Sequence, residues 1–177
     1  MSVGPEPDGL ARDDLAGVVD LFAWLTREEL SRAFAELAFK QRTTIDEDAI
    51  DEAIDVAVAE YALVPAPPGA VSVVGDEGTA AGPADDGDKP LAVGPAAFPS
   101  LPDGAADLPH ILDVPDRAVD RAVLSEAVHE RLSTDAVAAI TEGDTARLEV
   151  LADVTYDIET WASADLSGVR SHLDKNR

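Results

Sequence analysis

The 177-residue chain has no cysteine, which excludes disulfides, thiolate metal sites and cysteine nucleophiles together. Lysine is scarce: Lys40, Lys89 and Lys175 are the three, so any cationic patch must be built from arginine. Aromatic residues make up 5 % and methionine occurs once, so the core has to be assembled from Ala, Val, Leu and Ile. Long apolar runs are missing too. The longest uncharged stretch, Tyr61 to Gly75, is broken by Pro65, Pro67, Pro68 and Gly69 and is too short to span a bilayer. The first ten residues carry Glu6 and Asp8 and no basic region, unlike a signal peptide. A soluble cytoplasmic protein without membrane contact is expected.

What the chain has in excess is negative charge: 36 acidic against 13 basic residues, a formal net charge of -23. Such a surface repels itself in dilute buffer and stays hydrated when the Debye length has shrunk to about 3 Å near molar salt. Residues 1–64, 65–107 and 108–177 carry -10, -6 and -7, so the acidity is general and suits solvent adaptation better than one acidic tail. Intrinsic disorder is the competing explanation. Against it, apolar residues make up 46 % of the chain and recur at helical spacing in both outer segments. The middle segment holds 8 of the 12 prolines and 7 of the 12 glycines, which reads as a linker with an acidic disordered loop between about Ala66 and Lys89.

In residues 1–64, Leu15, Val18, Val19, Phe22 and Leu25 mark a first helix over Asp13 to Leu25. Thr26 and Glu29 form a capping box that starts a second helix, ending near Gln41. Asp46 caps a third, to Glu60, through Ile50, Ile54, Ala57, Val58 and Tyr61. Tyr61–Val64 and Leu91–Val93 then read as a β-hairpin, to which Val71, Val73 and Val74 add a strand. Three helices followed by a hairpin is the order of a winged helix, and an unrelated helical bundle is the alternative. In residues 108–177, Pro115 suits a helix first turn and Val119, Val123, Ala127 and Leu132 line that helix. Ser133, Thr134 and Asp135 cap a short helix through Ile140; Gly143 ends it and Asp144 caps the next, which carries Leu148, Leu151, Thr155, Ile158 and Ala162. A short helix closes the chain around Leu166 to Leu173. The expected fold class is mainly α with a small hairpin: an N-terminal three-helix, winged-helix-like unit packed with a C-terminal helical unit.

Chemical motifs are absent. No serine sits in a nucleophile elbow, and no phosphate-binding glycine loop or dinucleotide fingerprint occurs, so no cofactor is expected. His110, Asp113 and Asp116 match no metal-ligand spacing, and Asp113 ahead of Pro115 reads more simply as a cap. His129 and Glu130 lack the second histidine of the zinc-protease motif, and His172 lies near the chain end. An enzyme would have to use His110 with Asp113 or Glu130. For nucleic acid, the third helix would be the reading helix, yet it presents Asp46, Glu47, Asp48, Asp51, Glu52 and Asp55; the cations available are Arg27, Arg32, Lys40 and Arg42 around the second helix. The least generic stretch is the connector Gly94 to Asp113, where Pro95, Pro99, Pro102 and Pro109 impose an extended path and Phe98, Leu101, Leu108, Ile111 and Leu112 are apolar anchors. These either staple the connector across the two units or form a surface for a protein partner.

The run Asp14 to Phe22, the run Leu25 to Leu30, Glu36 to Lys40 and the Gly94 to Asp113 stretch resemble an uncharacterised family of haloarchaeal proteins, a domain of unknown function. The resemblance spans nearly the whole chain outside residues 66–89. It implies a high-salt cytoplasm and supplies no activity or site residues. The sequence thus favours a non-enzymatic interaction or adaptor protein, with a DNA-associated regulator and then an enzyme as alternatives.

A cooperative melting transition is expected in about 3 M KCl, broadening or vanishing at low salt, where self-repulsion is unscreened. Circular dichroism melts across a KCl series check this, and a salt-independent melt would contradict the adaptation argument.

Overall fold

The computed structural model describes residues 12–74 and 89–177. The expectation of an acidic disordered loop falls largely on residues 75–88 and that of a non-signal N-terminus on 1–10; both lie outside the described residues. The described chain is mainly helical with small antiparallel sheets.

Helix α1 (Arg12–Phe22) buries Leu15, Val18, Val19 and Phe22, the face read from the sequence. It stops three residues earlier than expected. Ala23 takes a left-handed φ of 68°, which ends the helix and turns Trp24–Leu25 into a strand, β1. Leu25 therefore reaches the core from a sheet. Thr26 and Glu29 close the predicted capping box, each side-chain oxygen accepting the other residue's amide at 3.2 Å, and start α2 (Arg27–Lys40). Asp46 caps α3 (Glu47–Ala59), which buries Ile50, Ile54 and Ala57.

The anticipated hairpin is present. Strand β2 (Leu63–Pro65) pairs antiparallel with Leu91–Val93, Val64 opposite Ala92, and that second strand also pairs with β1, Trp24 opposite Ala92. Between the hairpin strands runs a 3₁₀ turn, Pro68–Ala70, then β3 (Val71–Val73); Leu91–Val93 is β4. The sheet order is β1-β4-β2.

Strand β3 does not join the hairpin as expected. It pairs with β5 (Arg117–Val119), where a helix was anticipated, Ser72 opposite Ala118. Pro115 thus precedes a strand rather than opening a helix. The short helix α4 (Leu108–Leu112) comes before it, ended by Asp113 at a left-handed φ of 49°. Asp120 caps α5 (Arg121–Glu142), accepting the amides of Ala122 and Val123.

Helix α5 is continuous where two helices were expected. Its mid-helix cap candidates are occupied otherwise: the Thr134 hydroxyl donates back to the Glu130 carbonyl at 3.1 Å, and the Asp135 carboxylate is engaged by side chains from elsewhere in the fold. The buried face is Leu124, Val128, Leu132, Ala136 and Ala139, one position off the predicted Val123 and Ala127. Gly143, left-handed at φ 67°, and Asp144, whose carboxylate accepts the Arg147 amide, turn the chain into α6 (Thr145–Ala162) as anticipated. α7 (Ser167–Lys175) packs on α6 through Leu173.

Two apolar clusters result. One joins α1, α2, α3 and the hairpin to Ala105 and Leu108; the other joins Trp24, Tyr61, Val64, Ala66, Ala70 and Val71 to α5, α6 and α7. Residues from the loop-rich middle segment enter both clusters, so the described parts of the linker are folded structure. No helix among the described residues is long and apolar enough to cross a membrane.

Gly17 sits mid-helix on α1 with the Ser100 carbonyl pressed against it; a Cβ there would overlap that oxygen, whereas nothing lies within 4 Å of one at Gly168 in α7. Gly17→Ala is therefore expected to destabilise the protein by about 1–3 kcal/mol, and Gly168→Ala to leave it unchanged or stabilise it by up to about 1 kcal/mol. Denaturant unfolding of both variants in the same salt is the check.

Candidate functional site

The connector is tied down along its length. Gly94 donates to the Ala62 carbonyl at 2.9 Å and Ala96 to that of Tyr61 at 3.0 Å. Farther on, the Phe98 amide donates to the Asp13 carboxylate at 3.3 Å and the Ser100 amide to the Asp13 carbonyl at 2.9 Å, laying the chain over Gly17. Gln41 then donates to the Asp103 carbonyl, and Lys40 reaches the Gly104 carbonyl and pairs with Asp107 at 3.1 Å. Ala105 and Leu108 plunge into the N-terminal core, both fully buried.

This separates the five candidate anchors, of which Leu112 packs half-buried against the N-terminal core. Leu108 belongs to the core and is closed to any partner. Phe98 is 71 % exposed, Leu101 49 % and Ile111 41 %, although the backbone carrying Phe98 and Leu101 is held by α1. Stapling and display are thus combined in one strap.

The candidate nucleic-acid cations are not assembled into one free patch. Arg27 is bound to α3, its guanidinium 2.7 Å from Asp55 and 3.7 Å from Asp51, and Lys40 is bound to Asp107. Arg32 and Arg42 are exposed and form no ion pair with the described residues. The outer face of α3 carries exposed Glu47, Asp48, Asp51, Glu52 and Asp55. His110 and Asp113 are exposed at α4, and Asp116 engages β3 through its carbonyl, which accepts the Val74 amide. His129 and Glu130 lie on α5 and His172 on α7. Among the described residues, no three His, Asp or Glu side chains converge where they could hold a metal ion.

The most elaborate polar chemistry lies where the C-terminal helices meet the N-terminal unit, and sequence reasoning did not find it. Arg117 of β5 forms a two-pronged pair with Glu29, 3.0 and 2.7 Å, donates to the Trp24 carbonyl at 3.0 Å and stacks 3.9 Å from the Trp24 ring. Burial by itself would raise the Glu29 carboxyl; the Arg117 guanidinium and the Thr26 amide outweigh it and hold the group below its ordinary value. A second cluster surrounds Tyr61, fully buried with a left-handed φ of 63°. Its hydroxyl donates to Asp135, Arg131 stacks 4.0 Å above its ring, and Arg147 lies 3.2 Å from Asp135. Burial, then the hydrogen bond to Asp135, raises the phenol strongly. Arg131 and Arg147 also donate to the Val58 and Ala59 carbonyls at the C-terminal end of α3. These clusters fasten the two units.

In the comparison with known proteins, the profile of a family of unknown function (DUF7109) matches residues 13–177. No curated protein and no solved structure matches.

The Glu29–Arg117 pair is stabilising above the unfolded carboxyl value, about 4.3, and its contribution is lost as pH falls through the depressed folded value. Glu29→Gln should lower stability near neutral pH and flatten the acid limb of the stability profile. Arg117→Ala, which strands a partly buried carboxylate, should cost about 3 kcal/mol or more. Urea titrations at several pH values in constant KCl check both expectations, and a Glu29→Gln variant with an unchanged acid limb would contradict them.

Proposed function

For this chain, which belongs to the DUF7109 family of unknown function, we propose a non-enzymatic role as a protein-interaction or adaptor module of a high-salt cytoplasm. The observation that carries the reading is the connector: Phe98 and Leu101 stand in solvent on backbone that α1 holds in place, so their exposure carries little ordering cost on binding.

A DNA-associated regulator is the second reading, and one observation favours it. The order α1, β1, α2, α3, β2, β4 with sheet order β1-β4-β2 supports that reading, three helices followed by a hairpin being the order of a winged helix. Two features weigh against duplex binding. The outward face of the would-be reading helix is acidic, which repels phosphate. The described start of the would-be wing is also taken up: β3 pairs with β5, the Ser72 carbonyl accepts the Trp24 indole N–H at 3.2 Å, and the Ala70 carbonyl accepts the Asp120 amide at 2.7 Å. We therefore read the winged-helix frame as a scaffold that carries the connector.

Affinity capture of the tagged protein from its own lysate in molar KCl, with and without nuclease, tests this. The expected result is a stoichiometric protein partner that survives nuclease. Recovery of DNA-bound material only without nuclease, lost on replacing Arg27, Arg32, Lys40 and Arg42 by Ala, would establish the regulator instead. Catalysis that disappears in His110→Ala would establish an enzyme.

A further inference from the structure

We propose that the ridge formed by the connector and α1 is a docking site for a cationic amphipathic helix; this rests on the interaction reading and names the partner chemistry. Phe98 is placed over the first turn of α1 by its amide bond to Asp13, and Leu101 lies one turn on, beside Gly17. Leu21, four residues beyond Gly17 on the same face, is 36 % exposed, and its side chain leans back toward Gly17 as helical geometry requires. From Asp13 to Leu21 is about 12 Å along the helix axis. Two turns of a partner helix with apolar residues at i, i+4 and i+7 span about the same length.

Charge selects the kind of helix. Exposed Asp20 lies in the last turn of α1 and exposed Asp103 follows Leu101 by two residues, while Asp13, in the first turn, accepts the Phe98 amide and lies 3.9 Å from Arg12, which is itself bound to Glu60 at 2.9 Å. A second copy of this chain would set three carboxylates against three, and an anionic membrane or a nucleic acid would meet the same repulsion. A helix with lysine or arginine at both ends of an apolar stripe satisfies both features.

The probe is a fluorescein-labelled peptide of about 15 residues made of Leu, Ala and Lys with Leu at i, i+4 and i+7, against a scrambled peptide of the same composition, titrated by anisotropy in about 1 M KCl. Preferential binding of the patterned peptide is expected. It should weaken about tenfold or more in Phe98→Ser/Leu101→Ser, weaken less in Asp20→Asn/Asp103→Asn, and be unaffected by Val137→Ser on α5. Circular dichroism establishes that each variant is folded; if the double variant is not, Leu21→Lys serves, with the same loss expected. Equal binding of the scrambled peptide, binding indifferent to the ridge variants, or no binding would overturn the proposal. So would self-association by sedimentation that Leu101→Ser abolishes, since the occupant would then be a second copy. Lysate capture with Phe98→Ser/Leu101→Ser separates the two ideas: a nuclease-resistant partner that the variant still retains removes the ridge while the interaction reading stands.

Discussion

Arginine stacked on aromatic rings is the contact on which the relation between the two halves of this molecule depends. Both tryptophans and both tyrosines carry a guanidinium over the ring: Arg117 on Trp24, Arg121 on Trp161, Arg131 on Tyr61 and Arg170 on Tyr156, at 3.7 to 4.1 Å. Two of these pairs cross between the units and bring ion pairs with them. A planar, weakly hydrated guanidinium can stack and bind a carboxylate at once, which an ammonium does less well. This gives a physical use to the preference for arginine in a chain with three lysines. Because Arg117 is almost fully enclosed, its pair with Glu29 is screened little by salt that would quench an exposed bridge.

The same economy explains the charge distribution. Several of the cations are spent internally: Arg117, Arg131, Arg147 and Arg170 all bind carboxylates at part-buried positions, and Arg131 and Arg147 finish the end of α3. Exposed α3, by contrast, has carboxylates against which, among the described residues, only Arg27 is pinned. Each of the internal cations takes a carboxylate with it or shares one, so the net charge of -23 falls almost unchanged on the rest of the chain.

The connector shows how a proline-rich segment becomes part of a fold without regular structure. Its prolines remove donors and fix an extended path, while its remaining amides find acceptors on α1 and after α3. Gly17 supplies the close approach. The strap covers the N-terminal core with Ala105 and Leu108 and turns Phe98 outward, so one element contributes both to stability and to the candidate surface.

Much of this was legible in the sequence because it is local. The capping box at Thr26, the caps at Asp46 and Asp144, the left-handed Gly143 and the apolar faces of α1, α3 and α6 depend on residues a turn or two apart, and the excess of acid is a matter of composition alone. The β2–β4 pairing was readable as well, since two short apolar runs sought partners. What the sequence left open was decided by distant contacts. Nothing near Arg117 reveals that its partners are Glu29 and Trp24, nothing near Asp135 that it serves Tyr61 rather than a cap, and nothing near Gly17 that Ser100 lies upon it. The conversion of Leu25 and of Arg117–Val119 from expected helix to strand has the same origin: β pairing is completed by residues far along the chain, and only the packed structure brings them into register. Which connector residues face inward is likewise a tertiary outcome, because an extended strap has no periodicity of its own until a surface is laid beneath it.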